Sequence, residues 1–258
     1  MKKTGILFEE LIKVMATLRQ DGGCPWDKEQ THRSLRQYLL EETYEVLECL
    51  DTSDRTELAK ELGDLLLQIV FHAQIANEQG HFNIDTILAN INKKLIDRHP
   101  HVFADDYVET AKDQEKNWER LKKKEGRNSV LEGVPGEMPG LARAYRLQQK
   151  ASAVGFDWPD IKGAWDKFYE ELKEFQEAIS EQDKQAVELE YGDILFALCN
   201  IGRFIDVNPE DALRQTNAKF IRRFSAIEEH FKSSGRDIRK AKLEEMDAIW
   251  ERVKTEEK

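Results

Sequence analysis

The stretch Tyr169–Asp193, YEELKEFQEAISEQDKQAVELEYGD, carries four carboxylates in two i,i+3 pairs, Glu171 with Glu174 and Glu190 with Asp193. Glu170 stands beside the first pair. A second copy lies upstream in Tyr38–Asp64, with Glu41 and Glu42, Glu45, Glu61 and Asp64. Glu42 and Glu171, Glu45 and Glu174, Glu61 and Glu190, Asp64 and Asp193 are each 129 residues apart. Repetition of the whole set at one offset marks an internal duplication. A lone acidic pair on a helix is usually only a solvated face.

Residues three apart on a helix share a face. Folding the two helices of each copy as a hairpin can bring four carboxylates to one end of their seam. Like charges so close repel, which raises their pKa values and destabilises the metal-free site. A hard divalent cation relieves the repulsion, and an all-oxygen donor set suits Mg²⁺, with Mn²⁺ as a substitute. Carboxylate-bridged di-iron bundles need Glu-x-x-His pairs. Here the i+3 partners are Asp64 and Asp193, and no histidine lies within either motif. Gly63 and Gly192 sit inside these helical patterns, where glycine costs about 1 kcal/mol relative to alanine. Close approach of another helix or of a ligand would account for them.

Working outward, helical periodicity runs over residues 6–20, 31–50, 57–78, 83–98, 109–125, 141–154, 162–180 and 184–205. The expected inward stripes are Leu35, Leu39, Val46 and Leu50; Leu58, Leu62, Leu65, Ile69 and Ala73; Trp165, Phe168, Leu172, Phe175 and Ile179; and Val187, Tyr191, Ile194, Leu198, Ile201 and Ile205. The polar run 51–54 can cap the helix after it, and Pro100 stops the helix before it. No run alternates as a strand does. The expected fold is all-α: two tandem related helical bundles, residues 1–127 and 141–258. The Pro- and Gly-containing segment 128–140 is the expected linker.

The 258 residues are 40% hydrophobic and 34% charged, with a net charge of −11. That balance opposes general nucleic-acid binding, which needs a basic field, while a bound cation could still bring in a phosphorylated small molecule. No apolar run reaches the roughly 18–20 residues of a membrane span, and the N-terminus reads as an amphipathic helix, not a signal peptide. Cys24, Cys49 and Cys199 are odd in number and lack CxxC spacing, which fits free thiols in a reducing cytoplasm. The six histidines (His32, His72, His81, His99, His101 and His230) are scattered and are assigned no chemical role.

A basic pair follows each acidic set. Lys94 and Arg98 in NKKLIDR correspond to Lys219 and Arg223 in NAKFIRR, each pair one helical turn apart. Such a pair can hold the outer phosphates of a metal-bound polyphosphate, or be ordinary surface bases. Trp118 with Lys122, and Trp250 with Lys254, repeat a WERxK pattern. There a tryptophan could stack on a base or ribose, or simply belong to the core. Lys167 and Glu170, just ahead of Glu171, are further candidates for nucleotide contact, and Trp26, Trp158 and Trp165 are read as packing residues.

Taken with GCPWDKEQTH, LLEETYEVLE, ELGDLLLQIVFHAQIA, RHPHVF, VGFDW, YEELKEFQEA and ELEYGDILFALCNIGR, these motifs make nearly the whole chain resemble the MazG family of nucleoside triphosphate pyrophosphohydrolases. The resemblance implies an all-α, magnesium-dependent homodimer that converts nucleoside triphosphates to monophosphate and pyrophosphate. It places the active site in the second repeat, with Glu171, Glu174, Glu190 and Asp193 as metal ligands. Lys219, Arg223, Trp250 and Lys254 become its nucleotide contacts. The first repeat keeps Glu42, Glu45, Glu61 and Asp64, a second potential metal set.

The expected reaction is in-line attack of a metal-activated water on the α-phosphorus, with pyrophosphate leaving. Glu171 holds the metal, Glu170 is the candidate for orienting or deprotonating the water, and Lys219 and Arg223 stabilise the departing charge. The alternative from another class is a helical regulatory or scaffold protein whose magnesium sites are structural.

Overall fold

The computed structural model describes residues 2–104, 110 and 129–257. All regular structure among them is helical: α1 (Lys2–Arg19), α2 (Pro25–Glu29), α3 (Arg36–Thr52), α4 (Arg55–Glu78), α5 (Ile84–Asp97) and α6 (Pro100–Phe103), then α7 (Gly140–Ser152), α8 (Ile161–Glu181), α9 (Lys184–Phe204), α10 (Pro209–Ser233), a 3₁₀ turn (Ile238–Lys240) and α11 (Leu243–Glu256). None is long and apolar enough to cross a membrane. The chain divides into two compact units, residues 1–110 and 111–258. The expected helix 109–125 lies outside the described residues.

Each unit is built on one hairpin, α3–α4 in the first and α8–α9 in the second. The two hairpins turn in the same way. Ser53 and Gln182 both take left-handed backbone, at φ 58° and 60°, which reverses the chain directly behind the first helix. Asp54 then caps α4 by accepting from the amides of Thr56 and Glu57, and Asp183 caps α9 by accepting from Gln185 and Ala186. A side-chain acceptor at this position satisfies amides that have no partner within the helix. Both turns keep the 129-residue offset, so the duplication extends from the acidic residues to the corner that positions them.

Burial departs from the expected stripes. On α4 the buried residues are Gln68, Val70, Phe71, Ala73, Ile75 and Ala76, whereas Leu62 and Ile69 are 48% and 41% exposed. The long helix carries two apolar faces: one packs with Met15 and Leu35 in the core, and the other, Leu62, Leu66 and Ile69, is open. Cys49, not Leu50, is the buried residue of α3. In the second unit Ala164, Glu171 and Ala178 are the buried positions of α8, seven residues apart, while Trp165, Ile179, Tyr191, Leu198 and Ile205 are exposed. A period of 3.6 identifies an amphipathic helix, but it cannot say which of two apolar faces a neighbour within the chain will cover.

The remaining second-unit core joins Ile227 and Phe231 of α10 to Ile249 of α11. Lys150 of α7 is buried, with its ammonium donating to the carbonyls of Val130 and Glu132 at 3.0 and 3.1 Å. This ties part of the expected linker to the second unit. The helix over 83–98 ends at Asp97, but Pro100 also opens the short α6, where its fixed φ and missing N–H suit a first turn. The sequence reading passed over α2 and α6, which are too short to show a period, and its expected helices ended at residue 205, short of α10 and α11.

Candidate active site

The acidic residues converge as their spacing predicts, with one exception in each set. In the second unit, carboxylate oxygens of Glu171 and Glu174 on α8 and Glu190 on α9 lie within 4.8 Å of one another. Glu42, Glu45 and Glu61 form the same group in the first unit. Asp193 is outside the three-carboxylate group and instead lines a neighbouring cavity together with Glu171. Burial pushes Glu174 up from its ordinary pKa, and the charges of Glu171 and Glu190 add to the rise. Glu42 and Glu61 are raised likewise, by burial first and then by their acidic neighbours, Asp64 among them. Convergent carboxylates that resist ionising together are what a divalent cation relieves, and the residues present fit one.

Glu171 is only 6% exposed. Its charge is met from its own helix by Lys167, at 2.5 Å one turn back, and the same ammonium donates to Glu170 at 2.9 Å. Both carboxylates, Glu171 foremost, hold Lys167 well above the usual lysine range. Lys167 and Glu170 therefore sit at the rim of the acidic group.

Beside this rim opens a cavity of about 640 Å³ between α7, α8, α9 and the 153–160 loop. Lys167, Glu171 and Asp193 line it together with the apolar Leu147, Phe196 and Trp158. Trp158, read from sequence as packing, is almost half exposed. Its indole rests on the first turn of α8, where a Cβ at Gly163 would lie 2.7–2.8 Å from the ring. Arg203 forms an ion pair with Asp157 and also donates to Asn200. Sequence reasoning missed this wall because its members come from three helices and a loop. The available signal was the run GFDWP at the place of CPWD.

At the 129-residue offset, four of the cavity's lining positions carry a larger residue in the first unit. Ala164 corresponds to Leu35, Ala197 to Gln68, Asn200 to Phe71 and Gln148 to Arg19. Leu35, Gln68, Phe71 and Arg19 are all buried. The Arg19 guanidinium lies 5.3 Å from the Phe71 ring centre and bonds to Glu78 at 2.8 Å. The first unit thus keeps the acidic group but fills these positions with interlocked side chains.

The basic and aromatic candidates lie on other elements and do not line this cavity. Lys219 and Arg223 are on α10, and Trp250 and Lys254 on α11. Arg223 donates to Glu257 at 2.6 Å and lies 5.4 Å over the Trp250 ring. Trp250 is half-buried against Phe220, and Lys254 bonds to Glu251 at 2.8 Å. In the first unit Lys94 lies in the last turn of α5, with Arg98 as its C-cap. Trp118 and Lys122 lie outside the described residues. Among the described residues Gly63 and Gly192 have nothing within 4 Å of where a Cβ would stand, so no described helix accounts for them. One feature had no sequence signal: His32 and His72 stack at 5.1 Å with Nδ1 atoms 2.8 Å apart.

An all-helical unit in which one hairpin gathers three glutamates beside a nucleotide-sized cavity has the form of a helical pyrophosphohydrolase. A sequence model of the MazG nucleotide pyrophosphohydrolase domain matches residues 30–103 and 165–227, one segment in each unit. The chain is 45% identical over 256 residues to the nucleoside triphosphate pyrophosphohydrolase/pyrophosphatase MazG of Thermotoga maritima, covering 98% of each protein. It is 41% identical to the Escherichia coli nucleoside triphosphate pyrophosphohydrolase, over 97% of this chain and 98% of that one. It also matches the uncharacterized protein YabN of Bacillus subtilis at 45%, over 54% of that longer protein. The chain belongs to the MazG family of nucleotide pyrophosphohydrolases.

Proposed function

We propose that the second unit hydrolyses nucleoside triphosphates to monophosphate and pyrophosphate, with Mg²⁺, or Mn²⁺ in its place, held by Glu171, Glu174, Glu190 and Asp193. The observation that carries this reading is the convergence of three carboxylates, one of which, Glu171, also lines a cavity with Lys167 and Asp193. The family match and the names of the two full-length relatives support it. A bound cation would supply positive charge to the phosphates and activate water for attack on the α-phosphorus.

The chain's own residues do the rest. Lys167 neutralises Glu171 in the metal-free protein and, once a cation takes that carboxylate, is free to turn to a phosphate oxygen. Glu170, tied only to the same lysine at the exposed rim, is placed to accept a proton from the attacking water. Lys219 and Arg223 serve the leaving pyrophosphate only after Arg223 gives up Glu257. Because those bases are not on the cavity wall, closure of α10 or a second protomer has to bring them in. The exposed apolar residues Trp165, Tyr169, Leu189 and Tyr191 of α8 and α9 support assembly as a homodimer, since exposed apolar surface often marks an interaction site. Free thiols at Cys24, Cys49 and Cys199 support a cytoplasmic setting.

For the first unit the structural-cation reading has a specific observation in its favour: its acidic group is intact while Arg19, Gln68 and Phe71 fill the positions that line the cavity. Comparison of Glu171→Gln with Glu42→Gln tests the assignment. Loss of turnover in the first and retention in the second is expected, and the reverse result overturns it.

A further inference from the structure

His72 lies on α4 between Phe71 and Ala73, two members of the first-unit core. His32 lies in the turn that leads into α3, three residues before the buried Leu35 of the same core. The turn is closed on itself. The Thr31 amide donates to the Ser34 hydroxyl at 2.9 Å, the Ser34 amide to the Thr31 hydroxyl at 3.1 Å, and the Leu35 amide to the Thr31 carbonyl. Across to α4 it offers the His32 ring, whose Nδ1 is 2.8 Å from His72 Nδ1, with the two ring planes within 8° of parallel. A gap that short holds one proton and no ion, because two bare nitrogens or two N–H groups would repel. One ring is therefore the Nδ1–H tautomer and donates. The other carries its proton on Nε2 and accepts.

Such a pair takes up protons unequally. The first enters at the bare Nε2 of the donor ring, and the bond between the Nδ1 atoms persists. The second must enter at the acceptor's Nδ1, which sets two N–H groups and two positive charges face to face. Burial also opposes charge on His72. Among the described residues no carboxylate of the neighbouring helices offsets it: Glu78 of α4 is engaged by Arg19 of α1, and Glu42 of α3 takes a hydrogen bond from Gln68. The second unit is the internal contrast. At the 129-residue offset His32 and His72 become Ile161 and Ile201, and Ile201 is buried. The repeated hairpin therefore does not need imidazoles at these positions.

We propose that His32 and His72 form an acid-released clasp, confined to the first unit, whose double protonation frees the 30–35 turn from α4 and loosens the seat of Leu35. The clasp is independent of what the second unit hydrolyses. It makes the entry to α3, which carries Glu42 and Glu45, respond to pH where the entry to α8 does not.

The test uses the full chain with EDTA. Long-range ¹H–¹⁵N spectra read the histidine tautomers near neutrality. Hydrogen exchange, corrected for its intrinsic pH dependence, compares residues 30–37 with 159–166 near neutrality and at about pH 5. One ring of the pair should be the Nδ1–H tautomer. Exchange over 30–37 should quicken at least about tenfold on acidification, as local opening would, and 159–166 should not change. His32→Ile/His72→Ile, which copies the second unit, should remove the acceleration. His32→Gln, which leaves one titrating ring, should reduce the dependence from two protons to one. Both rings protonated at Nε2 near neutrality would overturn the proposal, as would no acceleration in the wild type or an acceleration that persists in the double variant. Should the double variant fail to fold, the tautomers, the wild-type comparison and His32→Gln still decide.

Discussion

Lys167 Nζ lies 2.5 Å from Glu171 Oε1 across a single turn of α8, so the most buried carboxylate of the acidic group carries its counter-ion on its own helix. Removing the lysine takes that counter-ion from Glu171 in the metal-free protein. Because the ammonium is partly exposed, Lys167→Met should cost about 1 kcal/mol of metal-free stability. Saturating Mg²⁺ should recover most of it. Thermal melts of both proteins with and without the ion check this, and a deficit that Mg²⁺ leaves untouched would contradict the shared role.

The same group dictates a pH dependence. Glu174 is held above its ordinary value of 4.5 by burial, Glu171 and Glu190. The folded protein therefore keeps that proton longer than the unfolded chain, and the metal-free fold loses this contribution as pH rises through the raised value. A cation must displace the proton, so the stabilisation by Mg²⁺ should be greatest near neutrality and small below about pH 5. A Mg²⁺-induced melting shift that does not vary with pH would count against the carboxylates as ligands.

How much of this the sequence disclosed follows from what periodicity can carry. The pairing of Glu171 with Glu174, and of α8 with α9, is a matter of spacing along one or two helices, and it is legible. Trp158, Asn200 and Gln148 meet only because α7, α9 and a loop fold together, which no local pattern encodes. The stripes misjudged Leu62 and Ile69 for a related reason, since α4 has two apolar faces and only tertiary packing chooses between them.

Gly192 tests the open face directly. With none of the described residues within 4 Å of a Cβ, Gly192→Ala should raise the stability of the second unit by up to about 1 kcal/mol through helix propensity. If a partner protomer or the nucleotide uses that space, assembly or KM should suffer in the same variant. Denaturant melts, light scattering and steady-state kinetics separate the effects. Lower stability with assembly and kinetics unchanged would contradict the open environment.

Glu257 restrains both Arg222 and Arg223. Glu257→Gln should release Arg223 for phosphate and tighten inhibition by pyrophosphate several-fold, as a freed charge-assisted bond would. Unchanged inhibition would take Arg223 out of the leaving-group role.

In the first unit burial, and then the neighbouring His32, hold His72 below its ordinary 6.5. The unfolded chain therefore gains that proton first, and stability should fall as pH drops from about 6.5 through the lowered value. His72→Phe should flatten this slope in melts followed between pH 5 and pH 7. A slope retained in the variant would place its origin elsewhere.

The central claim is tested most directly by the products formed from ATP, dATP, GTP and UTP with Mg²⁺ and with EDTA. The account predicts nucleoside monophosphate and pyrophosphate, only when the metal is present, and lost in Glu171→Gln. Nucleoside diphosphate with phosphate would move the attack to the γ-phosphorus and contradict it, and no product from any triphosphate would leave the acidic groups as structural cation sites.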